Sequence, residues 1–195
     1  MLRRSIERHS SPLWDSAVQA PVLRCTFSIE CIRFDFKSEL EHSCADFPIY
    51  KLQTRMKLLH LQLFWYEKHH TLLEMEDLPS LTPTQEQELK EWVKQRRKIL
   101  SYEVHQQTWV KVNVDGFASQ IRLNPNGTLS EKDLFSEKSL QGLWKVMEGF
   151  LFIKVISGEF IVEYQIVGSN LENIHCGIEY INGKVSTYSK FIVTK

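Results

Sequence analysis

Ile174-His175-Cys176-Gly177-Ile178-Glu179-Tyr180-Ile181 alternates apolar and polar residues and runs into Asn182-Gly183, after which Val185 to Val193 returns. Period-two alternation is the mark of a strand with one buried face. Asn-Gly fits the positive φ values of a type I′ turn, whose twist matches the strands on either side. The segment therefore reads as a β-hairpin. Ile174, Cys176, Ile178 and Tyr180 share one face, opposite His175 and Glu179.

Upstream, the same grammar repeats. Phe160, Val162, Tyr164 and Ile166 fall on one side of a strand, opposite Glu163 and Gln165, and Gly158 precedes it. Leu151 to Ile156, Leu143 to Met147, Ala118 to Leu123 and Trp109 to Val114 read as further strands. Glu148-Gly149, Asn124-Pro125-Asn126-Gly127 and Asp115-Gly116 mark turns. Ser130 to Gln141 is polar and reads as a loop. Seven short strands with tight turns predict an antiparallel meander closed into a small barrel or strongly curled, because closure protects strand edges. A two-sheet sandwich is the alternative.

All eight glycines lie between Gly116 and Gly183, and five of the six prolines come before residue 84. The glycine-free part is rich in Leu, Lys, Gln and Glu, which favour helix. The expected fold class is α+β. Residues 1–107 form a mostly helical region with one early strand at about 22–36 and helices at about 50–75 and 83–105. Residues 108–195 form the barrel-like domain. Leu52, Met56, Leu59, Leu63 and Tyr66 recur at helical spacing and form an apolar stripe. Thr82-Pro83-Thr84-Gln85 starts the second helix, with Thr82 as N-cap, Pro83 in the first turn and Gln85 three residues on. The two helices are expected to pair as a hairpin.

Gly142-Leu143-Trp144, followed by a hairpin, resembles the Gly-x-Trp of lipocalins. The resemblance covers three residues. It implies a barrel by analogy, and no ligand residue is carried over from it.

Lys+Arg and Asp+Glu are 24 each, so the formal net charge is zero. That balance argues against a dominant phosphate-binding face, and Arg96, Arg97 and Lys98 read better as a solvated helix face than as a nucleic-acid contact. No apolar run is long enough to span a bilayer, and no apolar stretch follows the basic start, so the expectation is a soluble, cytoplasmic chain without a membrane partner. Cys25, Cys31, Cys44 and Cys176 read as free thiols. With His42, the first three match no familiar zinc spacing, and His60, His69 and His70 diverge around their helix, so no metal or cofactor is expected. His175 could pair with Glu163 or Glu179 as an acid–base couple, but polar residues on one strand face usually meet solvent.

No catalytic motif is present, and the chain reads as leaning away from an enzyme. The first functional expectation is a non-enzymatic binding or protein-interaction module. Its face is the helical stripe Leu52, Met56, Leu59, Leu63 and Tyr66, which would seat a protein partner or a second copy. The alternative is a small-molecule-binding barrel, carrier or enzyme, with a small apolar ligand in an aromatic-lined pocket of Trp109, Trp144, Tyr164 and Tyr180.

Overall fold

A computed structural model describes residues 49–170 and 173–194, with side chains from residue 53 onward. The expected early strand at 22–36, Cys25, Cys31, His42, Cys44 and the side chain of Leu52 lie outside the described residues. The order is α1 (Ile49–His69), a 3-10 turn (Met75–Asp77), α2 (Pro83–Lys94), β1 (Arg96–Arg97), α3 (Ser101–Val104) and eight long strands. These are β2 (Thr108–Asn113), β3 (Ala118–Leu123), β4 (Thr128–Asp133), β5 (Ser139–Met147), β6 (Phe150–Ser157), β7 (Phe160–Ser169), β8 (Ile174–Ile181) and β9 (Lys184–Thr194).

Strands β2 to β9 pair antiparallel in sequence order, and β9 pairs back onto β2, so the meander closes into an eight-stranded barrel. The α+β class with a small barrel is the fold. The likeness to lipocalins is one of architecture only.

The Asn182-Gly183 turn has φ of 51° and 79°, both positive as the type I′ reading requires. The segment 130–141, expected to be a loop, instead contains most of β4 and the start of β5. The reason is chemical: β4 points Leu129 and Glu131 inward, and a buried carboxylate on the core side hides the alternation.

The helices are shorter than expected. α1 ends at His69, where His70 takes a left-handed φ of 54°. The start of α2 is as read: Gln85 N–H donates to Thr82 Oγ1 at 3.3 Å, and Thr82 N–H donates to Gln85 Oε1 at 3.0 Å. Beyond Lys94, however, Arg96 and Arg97 leave the helix and pair with Ser169 and Gly168 of β7. Gly168 permits this, since a Cβ there would sit 2.5 Å from the Arg97 carbonyl oxygen. The basic run is thus no helix face: the Arg96 side chain is 11% exposed, ion-paired to Glu67 and stacked 3.7 Å over the Trp92 ring.

Two apolar clusters hold the fold. The first fills the barrel, with Trp109, Trp144, Tyr164, Ile166 and Phe191 among its members. The second lies outside the barrel wall, where Met56, Leu59 and Leu63 of α1 pack on Val167, Cys176, Ile178, Tyr180 and Tyr188. Strands β7 and β8 are therefore covered on both faces, as a purely alternating solvent face would not be. No helix among the described residues is long and apolar enough to cross a membrane.

This covering inverts the faces expected for β8. Cys176, Ile178 and Tyr180 point out of the barrel toward α1, whereas His175 and Glu179 are on the side facing the interior. Alternation identifies two faces; which one is the inside depends on what packs against each.

Candidate functional site

The two ends of the barrel differ. At one end Ile99 and Val104 join the interior cluster, Ile99 N–H donates to Gly149 O at 2.8 Å, and Trp109 Nε1–H donates to Val104 O at 3.0 Å. The segment carrying α3 thereby stoppers that end. At the other end lie the turns β2–β3, β4–β5, β6–β7 and β8–β9, and the interior there turns polar.

Lys111 of β2 is the centre of this polar half. Its Nζ lies 2.9 Å from Glu131 Oε1 of β4 and 3.4 Å from Glu179 Oε2 of β8. It also donates to the Tyr164 hydroxyl at 2.7 Å and sits 4.2 Å from that ring's centroid. The Tyr164 hydroxyl in turn donates to Glu131 Oε2 at 3.0 Å, and Ser119 Oγ donates to Glu131 Oε1 at 2.6 Å. The side chains of Lys111, Glu131 and Glu179 are 11%, 6% and 13% exposed, so their charges depend on one another rather than on water. Burial, then the charges of Glu131 and Glu179, push the Tyr164 hydroxyl far up, so it remains a neutral donor. One ammonium between two carboxylates leaves the cluster short of positive charge. Nearby, Ser189 Oγ of β9 is buried without a hydrogen-bond partner among the described residues.

Around this mouth stand large apolar side chains in water. Val114 and Phe117 on the β2–β3 turn are 57% and 63% exposed, Leu134 and Phe135 on the β4–β5 loop 50% and 76%, and Phe160 at the start of β7 55%. Apolar residues of this size are uncommon on exposed turns, and clustered ones mark interaction surfaces.

The four residues expected to line a pocket are split by the barrel wall. Trp109, Trp144 and Tyr164 are inside, with the Trp144 indole N–H donating to Asn124 O at 2.9 Å. Tyr180 is outside, its hydroxyl donating to Gln62 Oε1 at 2.8 Å under α1. Tyr180 therefore does not share their pocket. The expected interaction face is also placed differently: Met56, Leu59 and Leu63 are buried against the chain's own barrel, and Tyr66 stacks on Tyr188 at 4.4 Å. Homo-oligomer or partner contacts through that stripe would have to displace the barrel.

His175 does not form the acid–base couple weighed from the sequence. Glu163 is on the outer face of β7, ion-paired with Lys154 at 3.1 Å. Glu179 is four residues along β8, about 13 Å by strand rise. The His175 ring lies beside Trp109 instead, its Nδ1 accepting the Ser169 N–H at 3.1 Å. Burial, then the Arg97 charge, lower its pKa to about 4, so the ring is neutral at pH 7. Burial and Arg96 lower His60 to about 4 as well. Between about pH 6.5 and 4 the unfolded chain binds protons that the folded chain refuses. Stability is thus expected to fall on acidification through that window, by on the order of 3 kcal/mol from His175. Urea denaturation across this range checks it, and His175→Gln should flatten the slope. Cys176 is buried, and burial pushes its thiol up to about 12, which rules out a thiolate nucleophile at neutral pH.

Among the described residues no group of three or more His, Cys, Asp and Glu is arranged to hold a metal ion. Sequence reasoning missed Lys111, Glu131 and the apolar rim, and weighed Glu179 only as a partner for His175. The signal for the rim was legible, since Phe117, Leu134 and Phe135 stand beside turn-forming Asp and Gly residues. Compared with known proteins, the chain matches no family, no curated protein and no solved structure.

Proposed function

We propose that the chain is a non-enzymatic protein-interaction module whose binding surface is the turn end of the barrel. The carrying observation is the set of exposed Val114, Phe117, Leu134, Phe135 and Phe160 at that one end. The reading is supported by the helical stripe being occupied by the barrel, so that it is closed to a partner, whereas the rim faces water. The partner's chemistry follows: an apolar protein patch bordered by polar groups, the composition of an interface core.

A combined Phe117→Ser, Phe135→Ser and Phe160→Ser variant tests the proposal. The native chain is expected to enhance the fluorescence of anilinonaphthalene sulfonate, and the variant to lose most of that enhancement. Its melting temperature should stay nearly unchanged, because each substitution is on the surface and shifts stability by about 0.5 kcal/mol or less. Equal dye binding by both proteins would remove the rim as the site.

A second reading is favoured by the Ser189 hydroxyl, without a partner among the described residues, and by the second carboxylate beside Lys111. Both suit a small molecule seated in the mouth, a carrier's role. Native mass spectrometry separates the two: an added small mass supports the carrier, whereas a multiple of 23.0 kDa supports association.

A further inference from the structure

The turns that expose the apolar rim also carry charge, and its sign is uneven. Asp115 is on the β2–β3 turn, Glu137 on the β4–β5 loop and Glu159 on the β6–β7 turn, and all three are exposed. Asp133 at the end of β4 is a fourth carboxylate. Against these four stand Lys138 on the β4–β5 loop and Lys184 at the start of β9. Lys132, the next base, is on the outer face of β4, since Glu131 beside it points inward. Within the mouth, Glu131 and Glu179 outnumber Lys111. The turn end thus holds an acidic excess, although the chain as a whole is neutral with 24 charged residues of each sign.

The apolar and acidic side chains stand on turns that are already fixed. Asn113 Oδ1 accepts the N–H groups of Asp115 at 3.1 Å and Phe117 at 2.9 Å. Asp133 Oδ1 accepts those of Phe135 at 2.7 Å and Ser136 at 3.0 Å. The Leu134 N–H donates to Ala118 O at 2.9 Å, which ties the β4–β5 loop to the β2–β3 hairpin. A surface ordered beforehand pays less entropy on binding.

Charge decides among the occupants an apolar rim could take. A second copy would bring its own acidic end, and facing like charges cost association. An anionic bilayer would be repelled in the same way. A partner with lysine or arginine around an apolar strip matches both features.

We propose that the turn end docks a basic amphipathic segment of another protein. Its apolar face rests on Phe117, Phe135 and Phe160, and its cationic side chains meet Asp115, Glu137 and Glu159. This rests on the rim being the binding surface and adds the sign of the partner's charge.

The test uses the full chain and two fluorescein-labelled amphipathic helices, one with leucine on one face and lysine on the other, the second with glutamate in place of lysine. Anisotropy titration should show the lysine peptide binding at least tenfold more tightly than the glutamate peptide. Its affinity should fall at least tenfold as NaCl rises from about 0.05 to 0.5 M, because the charges are exposed and screened. A combined Asp115→Asn, Glu137→Gln and Glu159→Gln variant should bind the lysine peptide about tenfold more weakly, since surface pairs are individually modest and act here in sum. Nile red, a neutral apolar dye, reports the rim separately: that charge variant should bind it as the native chain does, whereas Phe117→Ser, Phe135→Ser and Phe160→Ser together should lose it. If the phenylalanine variant keeps the dye, the rim reading fails and this inference with it. With the dye following the rim, the inference alone is overturned if the glutamate peptide binds as tightly as the lysine peptide, if the charge variant keeps full peptide affinity, or if phosphatidylserine vesicles bind the chain while the lysine peptide does not.

Discussion

Lys111→Met is expected to destabilise the fold by about 3–5 kcal/mol, the range seen when one member of a buried ion pair is removed. Methionine keeps much of the stem's volume, so the loss is electrostatic rather than a cavity. Glu131, 6% exposed, retains only neutral donors, the Tyr164 and Ser119 hydroxyls. Glu179, 13% exposed, retains the Ser186 hydroxyl at 3.4 Å. Two carboxylates then share a low-dielectric interior without a cation, and Tyr164 loses the charge beside its ring. Urea denaturation followed by tryptophan fluorescence measures the effect, since Trp109 and Trp144 are both in the interior cluster.

The same reasoning predicts a rescue. Adding Glu131→Gln and Glu179→Gln to Lys111→Met removes every charge from the cluster and should recover most of the lost stability. Coupling between contacting residues of this kind runs to about 0.5–3 kcal/mol. A triple variant no more stable than Lys111→Met would show that packing of the lysine stem, not charge, carries the cost.

The hairpin grammar of β8 and β9 was legible in the sequence because it is local: Asn182-Gly183 sets the turn through its own backbone preference. What the sequence hid is non-local. β4 could not be read because its inward residue is Glu131, acceptable only once Lys111 of β2 and Tyr164 of β7 arrive from other strands. The faces of β8 were assigned the wrong way round because α1, more than a hundred residues earlier, covers the outside. Arg96 and Arg97 read as helix until Gly168 offers them a ladder. The apolar stripe of α1 was visible, but its partner, the barrel's own outer wall, was not. Of the expected pocket, Trp109, Trp144 and Tyr164 share the interior, whereas Tyr180 follows the inverted face of β8.

Glu67→Ala is expected to unseat the helical pair from the barrel at a cost of about 3 kcal/mol, near the lower end for a buried pair because its side chain is 24% exposed. One carboxylate holds four groups from three elements of the chain. Oε2 accepts from Trp92 Nε1 of α2 at 2.6 Å and from Arg96 of β1 at 2.8 Å, and Oε1 accepts from the Tyr188 hydroxyl of β9 at 2.7 Å and lies 3.5 Å from Lys190. Burial pushes the carboxyl up, but the hydrogen bonds from Trp92 and Tyr188 and the Arg96 charge outweigh it and hold the group below its ordinary 4.5. A lowered carboxyl pKa contributes stability that is present above 4.5 and lost as the pH falls through the lowered value. Glu67→Gln should therefore be weaker than the native chain at neutral pH, by about 1–2 kcal/mol, and converge with it in acid. The alanine variant has a second readout. Lifting α1 uncovers Cys176, which is 1% exposed in the native fold. Thiol labelling of the peptide containing Cys176, followed by mass spectrometry, should be at least tenfold faster in Glu67→Ala than in the native chain, while hydrogen exchange in β3 to β5 stays slow. Equal labelling rates would mean that the apolar contacts of Leu59 and Leu63 hold the helix without the carboxylate.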